Sequence, residues 1–61
     1  MHTLNDVELI FKKSGYKKDL SNFILYMRGR TVMQNPDGNT LYFTADLQRF
    51  LRSEDCYMQE G

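Results

Sequence analysis

The chain of 61 residues has one cysteine, one histidine and one proline. A lone cysteine cannot close an internal disulfide, and one cysteine with one histidine falls short of a zinc site. No metal or cofactor is therefore expected. The longest apolar run, Phe23 to Met27, is far too short to span a bilayer. The opening residues Met-His-Thr-Leu-Asn-Asp carry no basic region and no apolar stretch, so they do not read as a signal peptide. With a single thiol, the composition suits a reducing compartment. The expectation is a soluble cytoplasmic protein without a membrane partner.

Chemistry-bearing patterns are equally scarce. Gly15, Gly29, Gly38 and Gly61 are isolated and lack the spacing of a phosphate-binding loop or dinucleotide fingerprint. Nucleophilic catalysis needs a nucleophile beside a base and a third group to orient that base. His2, expected at a mobile end, and Cys56, near the other end, have no spacing that brings them together. Glu54 and Asp55 are adjacent in a polar tail, where both carboxylates are expected to stay solvated. The expectation is a protein that is not an enzyme and has no small-molecule substrate.

What the chain does have is a hairpin signal. Asn35-Pro36-Asp37-Gly38 suits a type I turn followed by a bulge. Asn35 can accept from a backbone N–H further on, Pro36 presets φ, and Gly38 takes the left-handed conformation without steric cost. Asn35 then faces Asn39. Counting outward, Gln34 faces Thr40, Met33 faces Leu41, Val32 faces Tyr42 and Thr31 faces Phe43. Alternation places Met33, Leu41 and Phe43 on one face, read as the core side, and Val32 and Tyr42 on the other.

Helical patterns flank the hairpin. Residues 4–14 read as a helix with Leu4, Val7 and Phe11 on one face and Ile10 beside them. Asn5 with Glu8 or Thr3 with Asp6 can cap it, and Gly15 ends it. Asp19 suits the start of a second helix, 20–28, striped with Leu20, Phe23, Ile24 and Met27 and ended by Gly29. The competing reading makes this segment a strand, giving a helix, a three-stranded antiparallel meander and a helix. Thr44 reads as the cap of a last helix striped with Leu47, Phe50 and Leu51, and 54–61 as a frayed tail. The fold class is thus α+β: one small domain over 1–61, ordered helix, helix, β-hairpin, helix. This length is barely enough for a single core, so a protein partner or self-association is expected.

Two residue sets stand out for binding. Leu9 and Leu25 lie off their helical stripes, and Val32 and Tyr42 lie off the presumed core face. Exposed apolar surface on a small protein often marks a protein interface. The second set is basic. Residues 1–30 hold six basic against three acidic residues, and 31–61 hold two against five. Lys12, Lys13, Lys17 and Lys18 flank Tyr16, and Arg28 and Arg30 flank Gly29. Such clusters can grip phosphates or an acidic partner, with Tyr16 or Tyr26 stacking on a base, in a winged-helix-like arrangement. The expected function is a non-enzymatic binding or regulatory protein that docks through apolar surface with a basic rim. Nucleic-acid binding is the alternative.

The residues Tyr26-Met-Arg-Gly-Arg-Thr-Val, Asp37-Gly38, Tyr42-Phe-Thr-Ala-Asp-Leu and Phe50-Leu also carry a resemblance. Helix, glycine-bounded exit, Asp-Gly hairpin, Phe-Thr and closing helix resemble the small head–tail joining proteins of tailed phages. That resemblance covers about half the chain. It implies a ring-forming structural protein without catalysis.

Overall fold

Thr3 starts the first helix. Its hydroxyl accepts from the Asp6 N–H, and the Asp6 carboxylate accepts from the Thr3 N–H, both at 3.3 Å. This reciprocal box satisfies donors that a helix start otherwise leaves orphaned. It selects the Thr3–Asp6 start over Asn5–Glu8 and begins α1, Leu4–Lys13, in the computed structural model, which describes residues 1–58. Gly15, at φ 85°, ends it. The Gly15 N–H donates to the Lys12 carbonyl at 3.2 Å and the Tyr16 N–H to the Phe11 carbonyl at 3.0 Å. This is Schellman closure, which favours an apolar contact across the motif. Here Tyr16 meets Phe11 edge-on, with ring centroids 5.1 Å apart.

The second segment is a helix, so the meander does not form. α2 is Ser21–Tyr26, shorter than the expected 20–28. The Asp19 carboxylate accepts from the Ser21 N–H at 3.1 Å, and the chain leaves through Gly29 at φ 77°. Phe23 and Met27 are buried. Ile24, expected in the core, stands 41% exposed. A helix this short meets the core along one narrow edge, and Ile24 sits about 100° round from Phe23. Leu4 also projects outward, at the first position of α1.

The hairpin forms in the expected register. β1, Met33–Gln34, pairs antiparallel with β2, Thr40–Leu41, with Met33 opposite Leu41 and Gln34 opposite Thr40. Asn35 Oδ1 accepts from the Asp37 and Asn39 N–H groups at 3.1 and 3.0 Å, and Gly38 has φ 85°. Beyond Leu41 the pairing changes side. Tyr42 exchanges both backbone bonds with His2, each at 2.8 Å, on the side away from β1. Residues 40–42 therefore run between β1 and the chain start.

The hairpin's faces are opposite to expectation. Tyr42 is buried and Val32 packs against the core, whereas Met33 is 48% exposed. Leu41 and Phe43 are half-buried outside the central cluster. The helical stripes converge on the Tyr42 side, and strand alternation then forces Met33 and Leu41 outward. Tyr42 meets Phe23 at 5.1 Å between ring centroids, offering the core a larger apolar body than methionine or leucine.

α3, Thr44–Ser53, buries Leu47, Phe50 and Leu51. Phe50 is the hub: it stacks on Phe11 at 5.6 Å and takes ring contacts from Tyr16, Phe23 and Tyr26. Thr44 is its first residue, not its side-chain cap. The chain turns back after α3. Asp55, at φ 58°, donates its N–H to the Arg52 carbonyl at 3.1 Å, and Cys56 donates to the Leu51 carbonyl at 2.8 Å. This second Schellman closure folds Cys56 and Met58 back onto the core. The rest of the expected tail, 59–61, lies outside the described residues. Among those described, no helix is long and apolar enough to cross a membrane.

Candidate functional site

The apolar residues expected at an interface divide into two pairs. Leu9 and Leu25 are 58% and 56% exposed. Val32 and Tyr42 belong to the core side and offer no free side-chain surface comparable to these. Leu9 lies opposite the Val7–Phe11 stripe, between Asn5 and Lys13 on the solvated side of α1. Isolated exposed leucines of this kind are ordinary. Leu25 is different, because Ile24 is exposed beside it. On α2 the two flank Ser21, and Arg28 follows one turn later, also exposed. Placing Ile24 on the buried stripe concealed this pair from the sequence reading. The short helix, bounded by Asp19 and Gly29, was the signal that its stripe had to be narrow.

The basic set is dispersed by its own neighbours. Lys18 Nζ pairs with Glu54 at 2.8 Å, and Lys12 approaches Glu8 at 4.0 Å. Glu54 is therefore engaged and partly covered, contrary to the solvated role expected of it. The Glu54 carboxylate, as hydrogen-bond acceptor and then as charge, raises the Lys18 pKa above its usual 10.5. Arg30 lies over the Tyr26 ring at 4.3 Å, a cation–π contact. Lys13, Lys17 and Arg28 form no ion pair among the described residues.

Neither tyrosine is free to stack on a base. Tyr16 is buried and its hydroxyl donates to the Asp19 carbonyl at 2.9 Å. Tyr26 is half-buried against Phe50 and covered by Arg30. A groove of about 340 Å³ runs beside Tyr16, and Glu8 and Asp19 line it together with Lys12, Lys17 and Lys18. Its mixed charge favours neither a polyanion nor a polycation.

His2 is held, not mobile. Its backbone pairs with Tyr42 and its Nε2 lies 2.9 Å from the Thr44 hydroxyl. A hydroxyl beside an imidazole supplies part of a catalytic arrangement, but among the described residues nothing hydrogen-bonds the other ring nitrogen to orient it. Cys56 Sγ instead donates to the Glu54 carbonyl at 3.4 Å. A hollow of about 550 Å³ between the start of α1 and the hairpin turn is lined by Thr3, Leu4, Asn5, Gly38, Asn39, Thr40 and Tyr42. Among the described residues, no carboxylate, imidazole or thiol lines it. Among the described residues, no three His, Cys, Asp or Glu side chains gather as metal ligands.

No family model, curated protein or solved structure matches the chain. The resemblance to head–tail joining proteins thus rests on the quoted residues alone.

Proposed function

We propose that this chain is a non-enzymatic binding protein that docks onto a protein partner through the outward face of α2. The observation that carries the reading is the adjacent exposure of Ile24 and Leu25 with Arg28 one turn on. Paired aliphatic side chains supply the apolar centre, and the arginine supplies a basic rim able to meet a carboxylate at the interface edge. A role in binding nucleic acid draws less support, because Lys12, Lys18 and Arg30 are already engaged within the chain.

The test is capture from lysate, with and without nuclease, by the wild-type chain and by Ile24→Glu and Leu25→Glu variants. Both positions are exposed, so each variant should melt within a few degrees of wild type. A stoichiometric protein captured by wild type, resistant to nuclease and reduced about tenfold or more by Leu25→Glu is expected, since burying an unpaired charge is costly. Capture unchanged by both substitutions would remove α2 from the interface. Recovery lost on nuclease treatment would turn attention to Lys13, Lys17 and Arg28.

A further inference from the structure

β1 is an edge strand. Residues 40–42 have a neighbour on each side, β1 and His2, whereas among the described residues β1 has one only. Ladder alternation settles which groups it leaves open. Asn35 donates to the Asn39 carbonyl across the hairpin, and Met33 stands in the same phase two residues earlier. Gln34 and Val32 stand in the opposite phase, so their N–H and C=O groups point to the open edge. Tyr42 shows the same phase on its own strand, with both backbone groups turned to His2.

Edge strands are commonly blunted by charge, proline or a bulge. β1 is short, another such device, but residues 31–35 carry no charge, proline or bulge, and β2 with the following Tyr42 and Phe43 is also uncharged. The outer face is apolar as well. Met33 is exposed, Leu41 lies opposite it, and Leu41 and Phe43 are half-buried without joining the central core.

We infer that β1 pairs antiparallel with β1 of a second copy about a two-fold axis at Met33, making a homodimer with one continuous sheet. In this register Val32 exchanges its open N–H and C=O with Gln34 of the second copy, and the symmetric pair does the same. Met33 faces Met33 of the second copy as a non-hydrogen-bonded pair, the kind with side chains closest, about 4.5 Å between Cα atoms. The occupant follows from charge. A second copy brings an uncharged strand to an uncharged strand, and the zero net charge removes long-range repulsion. Counting on from Met33 places Arg30 opposite Pro36 of the second copy, so no like charges face each other along the ladder. A charged peptide would find no opposite charge among residues 31–35. This surface is separate from the Ile24–Leu25 face.

The test is sedimentation of the purified chain from about 1 µM to about 1 mM, a range spanning weak to moderate association. Wild type should pass from monomer towards dimer. Gln34→Pro removes an N–H directed at the open edge and spares the hairpin's own bonds, so the affinity should fall roughly tenfold or more. Met33→Lys should do likewise, while Leu25→Glu should dimerise as wild type. A wild-type chain that stays monomeric throughout, or a Met33→Lys chain that dimerises equally, overturns the proposal. Should either edge variant fail to fold, Met33→Cys in a Cys56→Ser background decides. The paired spacing suits a disulfide, so mild oxidation should yield a covalent dimer, and Leu25→Cys in the same background should not. Absence of the Met33→Cys dimer counts against the two-fold.

Discussion

Gly15 and Asp55 occupy the same position in two copies of one motif, each just past a helix and each left-handed, at φ 85° and 58°. Only one is glycine. A Cβ at Gly15 would meet nothing within 4 Å, so the cost of adding one is conformational. Gly15→Ala should destabilise by about 1 kcal/mol or more. Asp55→Gly should act in reverse. It relieves about 1–2 kcal/mol of Cβ strain against about 0.5–1 kcal/mol of added chain entropy lost on folding, a net gain of about 0–1.5 kcal/mol. Urea unfolding of both variants checks the opposite signs. The Schellman geometry also explains why Tyr16 escaped the sequence reading. Between Gly15 and two lysines it looks like surface, yet the residue after a left-handed glycine is the one that folds back onto the helix it has left.

The helices meet at their ends as well as along their stripes. Lys18, in the α1–α2 connection, reaches Glu54 at the close of α3. The bond raises the Lys18 pKa in the folded chain. A raised pKa contributes stability that is fully present below the unfolded lysine value, near 10.5, and is lost as pH rises through the folded value. The stability difference between wild type and Lys18→Met should therefore hold from neutral pH to about pH 10 and shrink above it. Lys18 is exposed, so the difference should be small and should fall with added salt. Denaturant midpoints across that pH range test both trends. Elements were more legible than their faces. Turn chemistry at Asn35–Gly38 and the register of Met33 with Leu41 could be counted from the sequence. Which side of the hairpin met the helices could not, because Met33, Leu41 and Phe43 are as apolar as the side that won. The bridge from His2 to Tyr42 was not legible either, because no local pattern signals contact across so many residues.

One aromatic cluster holds the molecule together, and Phe50 touches Phe11, Tyr16, Phe23 and Tyr26 within it. A domain of 61 residues has roughly 3–9 kcal/mol of stability in total. Phe50→Ala should remove about 3–5 kcal/mol, enough to unfold much of the population at room temperature. Leu25→Ala, at an exposed site, should change stability by no more than about 0.5 kcal/mol. Circular dichroism melts of the two variants make the comparison. The bridge from His2 to Tyr42 has a further consequence for the order of events. Forty residues separate His2 from its strand partner, so this pairing closes a long loop and its entropy cost falls late in folding. The first helix needs only local bonds and can form early, but it has no sheet to lean on until the hairpin follows.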